Sequence, residues 1–305
     1  MEERALGKSG LKVSPLGLGT ATWGESVDIA AACELLGLFV DAGGNLVDTS
    51  PALNGGGAEE VLGAVLATGI PRDEVVLSTA AGVDPLRPVG SRVDCSRRGL
   101  LRQLDRSLKT LSVDHIDLWN VEYWDDSTPV EEVADTLDYA IQVGKVRYVG
   151  VRGYRGWQLA LSSTYLPRGR ALVAAQEEYH LLRREAEDEL IPAAAHVGVG
   201  FIAAAPLAYG ALCGVERHGV RSPFMNYVGT KRDTIVEALA TAGKGLGLSP
   251  AAVALSWVLG LNRAPGKVAA AVVGARTTSQ LSDALMAVRH PLPEQIIRAL
   301  DEVSG

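Results

Sequence analysis

Residues 115–153 read HIDLWNVEYWDDSTPVEEVADTLDYAIQVGKVRYVGVRG, and this stretch decides the architecture. It opens on HIDLWNVEY, a short apolar run of the kind that forms a strand covered on both faces. A helical segment follows. Thr128 is placed as its N-cap, Pro129 suits the first helical position, and Glu131 and Glu132 put acids in the first turn. KVRYVGVRG (145–153) is then a second run like the first. Strand, helix and strand in this order make parallel strands joined by a crossover helix.

The same alternation extends in both directions. Apolar runs recur at 45–50 (NLVDTS), 74–82 (EVVLSTAAG), 171–179 (ALVAAQEEY), 199–207 (VGFIAAAPL) and 268–276 (VAAAVVGAR). An eighth lies between Val13 and Leu18, after a short hairpin-like start. Helical patterns fill the gaps. One is expected to start at Ser26 as N-cap and to end on Gly43-Gly44. Another places Leu100, Leu101, Leu104, Leu108 and Leu111 on one stripe. Ser249-Pro250 opens a third, and TSQLSDALMAV forms a last amphipathic segment. Eight strand-and-helix units predict a closed (β/α)8 TIM barrel with a short N-terminal hairpin, one domain over 1–305. A doubly wound open sheet is the runner-up, but no GxGxxG follows the first strand as a dinucleotide-binding half would need. The stretch 209–233 reads as a long loop over the barrel.

Composition narrows the function classes. A net charge of -7 with no basic block argues against nucleic acid and anionic membrane as partners. Three scattered cysteines predict neither a disulfide framework nor a zinc site and point to a reducing cytoplasm. The first residues carry no apolar signal-peptide core, and no apolar run is long enough to span a bilayer. No HxxxH or similar spacing predicts a metal site. A small-molecule substrate is the expected partner, and oligomeric state is not readable.

In a barrel of this class the C-terminal strand ends form the active face. The polar residues there include Asp48, Ser78, Glu122, Arg152, Gln176 and Arg276. Trp23, Leu53, Tyr123 and Trp124 are expected to wall a substrate pocket. These segments resemble the aldo-keto reductases nearly end to end. VDTSPALNGGGAEEVLGAVL is similar to that family's DTAxxYGxGxSEExLGxAL segment, and VVGARTTSQLSDAL to its cofactor-phosphate segment.

The resemblance implies an NADP(H)-dependent oxidoreductase whose catalytic tetrad is Asp, Tyr, Lys and His. Asp48 matches the aspartate. Leu53, Ala80 and Glu122 stand where tyrosine, lysine and histidine belong, and Arg152-Gly153 replaces the Ser-Asn pair that holds the nicotinamide amide. Gln176, Pro206, Leu207, Gly274, Arg276 and Gln280 match cofactor-binding positions, although Ala205 and Ala284 replace a serine and an asparagine. Arginine suits the extra phosphate of NADP because its planar fork pairs with phosphate oxygens.

The chemistry then departs from the family. Hydride addition to a carbonyl leaves charge on oxygen, which a positioned acid must neutralise. Leucine and alanine cannot do so. Without its lysine, Asp48 is a costly unpaired carboxylate unless another cation replaces it, and Arg152 is the nearest candidate. Three functions stay open: a reductase using Glu122 as a protonated acid in an apolar pocket, a redox-neutral dehydratase, isomerase or cyclase using Asp48 and Glu122, and a non-catalytic ligand-binding protein.

Overall fold

The computed structural model describes residues 1–85, 87–167, 169–214, 223–260 and 268–305. Eight parallel strands close a barrel. A two-stranded antiparallel hairpin precedes it, β1 (Arg4–Ala5) and β2 (Lys12–Val13). The barrel strands are β3 (Leu16–Gly19), β4 (Leu46–Asp48), β5 (Val76–Ala81), β6 (Ile116–Glu122), β7 (Val146–Arg152), β8 (Leu172–Glu178), β9 (Gly200–Ala204) and β10 (Val268–Gly274), with β10 closing on β3.

Among the described residues, ten helices surround or extend it: α1 (Ile29–Asp41), α2 (Gly57–Leu66), α3 (Arg97–Leu111), α4 (Val130–Gln142), α5 (Gly156–Tyr165), α6 (Leu190–Val197), α7 (Thr230–Leu246), α8 (Pro250–Leu259), α9 (Thr278–Arg289) and α10 (Glu294–Ser304). None of them is long and apolar enough by itself to cross a membrane.

Two apolar cores explain why this chain closes. A large one lies between strands and helices and holds Phe39, Leu62, Leu104, Trp119 and Trp257. A small one gathers Leu46, Leu118, Ala174, Ile202 and Val272 with Leu6 and Val13 of the hairpin segment. Period-two alternation links this second core to the site. Leu46 shares a face with Asp48, Leu118 with Asn120 and Glu122, and Ala174 with Gln176. Each of these three strands thus changes from apolar to polar toward its C-terminal end.

The details correct three expectations. The first barrel strand runs Leu16–Gly19, and Val13 belongs to the hairpin. Ser14-Pro15 separates the two, with Ser14 Oγ donating to the Leu16 carbonyl at 2.7 Å and the Ser14 amide donating to Asn45. Helix α1 is capped by Asp28, not Ser26, because Asp28 accepts from the Ala31 amide at 2.9 Å. Thr128 does not cap α4. Its hydroxyl donates to Asp125 at 2.7 Å, and Pro129 is the residue before the helix. Ser249 and Pro250 open α8 as expected. Part of the long loop over 209–233, residues 215–222, lies outside the described residues. Its flanks form short 3-10 turns at Ala208–Cys213 and Pro223–Tyr227.

Candidate active site

Asp48 closes β4, in register with Ser78 on one neighbour and Gly19 on the other. On the far side of the barrel mouth, Glu122, Arg152 and Gln176 form one row across β6, β7 and β8. The two groups meet. Arg152 Nη2 donates to Asp48 Oδ1 in a close ion pair, and Ser78 Oγ donates to the same oxygen at 2.7 Å. Gln176 Nε2 donates to Asp48 Oδ2 at 3.2 Å. Arg152 also donates to the Thr49 carbonyl at 3.0 Å and to Ser78 Oγ at 3.0 Å.

Asp48 and Arg152 are each only 8% exposed. Arg152 is therefore the replacement cation that the lost lysine required. It also means that Asp48 is not a released carboxylate. Its two oxygens are held by three side chains.

Three buried polar atoms in this cluster have no partner among the described residues, Arg152 Nε, Gln176 Oε1 and Asn120 Oδ1. Gln176 is 6% exposed, so its free oxygen faces little bulk water. Burying an acceptor without a donor is costly, which makes such an atom a marker for a missing partner.

Glu122 stands apart. It is half-buried and accepts from Ser50 Oγ at 3.1 Å, and Ser50 in turn accepts from the Ala52 amide. That setting differs from the apolar enclosure that a protonated acid would need. Tyr123 follows at positive φ, half exposed, with its ring against Gly153. Gly153 itself has φ +66°, and a Cβ there would stand 2.7 Å from the tyrosine ring. Trp124 packs edge-on to Tyr154 and Trp157, with its Nε1 donating to Asp126.

Leu53 is half-buried in the turn before α2, where Asn54 and Gly55 take positive φ and Gly56 caps the helix in the left-handed region. Trp23 does not face an open pocket. It is sealed in the large core at 0% exposure, and its indole N–H has no partner among the described residues.

A second carboxylate cluster sits beside this row. Glu178 accepts from Tyr227 Oη at 2.5 Å, from Arg183 Nη1 at 2.8 Å and lies 3.1 Å from His180 Nε2. Burial works to raise its pKa, but the bonds from His180 and Tyr227 and the charge of Arg183 outweigh it and hold the carboxyl below its usual range. Tyr227 stacks on Tyr209 at 6.5 Å, so the two described flanks of the long loop meet at the mouth. Glu177 accepts only from the Glu178 amide at 3.1 Å among the described residues, and this bond and the charge of Arg183 do not outweigh its burial. Burial pushes its pKa up.

Apart from Gln176, the expected cofactor residues follow β9 or lie at the end of β10 and beyond. Pro206 is buried and Leu207 half-buried after β9. Gly274 ends β10 in register with Gly19. Arg276 is exposed and forms no ion pair among the described residues. Gln280 turns back, its Oε1 accepting from the Arg276 amide at 2.9 Å, while Thr277 caps α9.

Sequence reading missed Ser50, Asn120 and Glu59. Asn120 donates to Ser78 Oγ and to the Thr79 carbonyl, both at 3.2 Å. Its alternation with Leu118 and Glu122 was the available signal. Glu59 reads as a helix-start acid but is buried between α2, β5 and α3, accepting from Thr79 Oγ1 at 2.7 Å and Ser107 Oγ at 3.2 Å. Burial raises its pKa above the ordinary 4.5, against the pull of those two hydroxyls.

The native state therefore binds more protons at Glu59 than the unfolded chain. Its contribution to stability is present in full below pH 4.5 and is lost as pH rises to the folded pKa above that value. Glu59→Gln should flatten this part of the stability profile. Urea midpoints measured for both proteins across that range check it, and an unchanged slope refutes it.

A parallel eight-stranded barrel with its polar groups at the C-terminal strand ends defines the class. Within it the match is specific: residues 15–304 match the aldo/keto reductase family, and the chain belongs to that family. It is 33% identical to the "Uncharacterized oxidoreductase YrpG" of Bacillus subtilis (strain 168), over 99% of this chain and 96% of that one. It is 29% identical to "Protein tas" of Escherichia coli (strain K12), over 99% and 97%. A "Probable voltage-gated potassium channel subunit beta" of Arabidopsis thaliana is also 29% identical, over 94% and 91%.

Proposed function

We propose that this protein is an NADP(H)-dependent oxidoreductase acting on a small organic molecule, with Glu122 as the carboxylate facing the substrate. Asp48, Arg152 and Gln176 form the floor beneath it. The observation that carries the reading is Gln176 Oε1, a buried acceptor with no donor among the described residues. A carboxamide N–H of nicotinamide suits it. At the other end, the exposed Arg276 guanidinium and the N-terminus of α9 suit a phosphate. The residues present thus fit the dinucleotide, and it supplies a hydride when bound. Leu53 and Ala80 provide no proton, and among the described residues Glu122 is the ionisable group left toward the substrate in the Asp48–Arg152 layer.

The redox-neutral alternative needs Asp48 and Glu122 as two proton carriers. Asp48 is bound by Arg152, Ser78 and Gln176, which counts against it. A titration of NADPH against tryptophan fluorescence tests the proposal. Saturable quenching supports it, and no quenching at about millimolar cofactor overturns it. Glu122→Gln should keep cofactor affinity and lower kcat/KM at least about tenfold. Full activity in that variant removes Glu122 from the reading.

A further inference from the structure

Leu53 and Ala80 supply no proton donor, and the site is rich in acceptors. Four carboxylates surround the mouth on this side. Asp48 is matched by Arg152, and Glu178 by Arg183. Glu122 and Glu177 form no ion pair among the described residues, so the pairings leave two negative charges over. The tyrosines register them. The Tyr123 phenol is pushed up by burial and then by the charges of Glu122, Glu177 and Glu178, and the Tyr209 phenol by burial, Glu178 and Tyr123, with a smaller push from Glu177. Both rings are open to solvent, Tyr123 at 50% and Tyr209 at 43% exposure.

Carboxylates and ring faces are the complement of an organic cation. We propose that the substrate is a small iminium ion, bound between Glu122, Glu177 and the Tyr123 and Tyr209 rings. The proposal rests on the hydride-transfer reading above and names its substrate class. It accounts for the missing acid. The iminium carbon accepts a hydride with its electron pair from a reduced nicotinamide. The C=N π pair withdraws to nitrogen, the cation becomes a neutral amine, and the nicotinamide is oxidised. No oxyanion forms and no proton moves in that step. Positive charge passes from substrate to nicotinamide, so the carboxylates keep a counter-charge throughout. The amine later takes a proton from water.

The test uses the whole protein and two probes of similar ring size: N-methyl-dihydroisoquinolinium, a permanently charged iminium, and tetralone, a neutral ketone. Calorimetry without cofactor should show the cation binding at least about tenfold more tightly. Glu122→Gln or Glu177→Gln should each weaken it about fivefold. In the unmodified protein the preference should shrink as salt is raised, which tests the charge term without any substitution. With NADPH, the cation should be consumed and tetralone spared. Equal binding of both probes, or preferential reduction of tetralone, overturns the substrate class even where NADPH binds. Retained cation preference with no NADPH binding removes the hydride reading and the reduction step together. A bound cation that NADPH leaves unreduced overturns the iminium assignment alone.

Discussion

Arg152→Met is expected to lower the free energy of unfolding by about 3–5 kcal/mol, the usual cost of leaving one partner of a buried ion pair behind. The reason is local. Arg152 donates to Asp48, to the Thr49 carbonyl and to Ser78 Oγ, and all of these lie in the buried layer at the barrel mouth. Without it, Asp48 retains only the Ser78 hydroxyl and the Gln176 amide. Adding Asp48→Asn to Arg152→Met should recover part of the loss, because the stranded charge disappears. Denaturant unfolding of the two single variants and the double one measures the coupling. A loss below about 1 kcal/mol for Arg152→Met would mean that Asp48 does not depend on this cation.

Trp257→Ala should cost about as much, 3–5 kcal/mol, by a different route. Trp257 is fully buried on α8 and stacks on Tyr179 at 5.6 Å. Arg184 lies 5.2 Å over its ring, and its Nε1 donates to Asp301 on α10 at 3.2 Å. One side chain thus ties α8 and α10 to the residue that follows β8, next to the mouth carboxylates. Removing it leaves a cavity and strips Asp301 of a donor. Trp257→Phe keeps most of the apolar volume and should recover roughly half of the loss. Urea midpoints for the three proteins decide it. Equal stability of the alanine and phenylalanine variants would contradict the packing account.

How much of this was legible beforehand depended on the range of the interaction. The strands were, because continuous apolar runs between Gly and Pro punctuation are local signals. The break at Ser14-Pro15 was not, since it comes from Asn45 reaching across to the Ser14 amide. The cap at Ser249 followed from residue type, whereas Asp28, Thr128 and Thr277 were decided by which neighbour the hydroxyl or carboxylate reached. Arg152 could be named as a replacement cation because strand order alone puts it beside the site. Ser50 could not be named, because its bond to Glu122 joins loops 72 residues apart.

Taken alone, the order of strand and helix patterns determined the barrel, and the family resemblance set the expectation that Leu53, Ala80 and Glu122 stand where the usual reductase donors would be. Those are properties of residue identity and spacing. The state of each carboxylate was decided only by the closed barrel. Asp48 is bound, Glu59 is buried beneath the helices, Glu178 is paired, and Glu122 and Glu177 form no ion pair among the described residues. A carboxylate's role depends on the donors, charges and water within a few ångströms. Barrel closure brings those together from positions scattered between Asp48 and Tyr227.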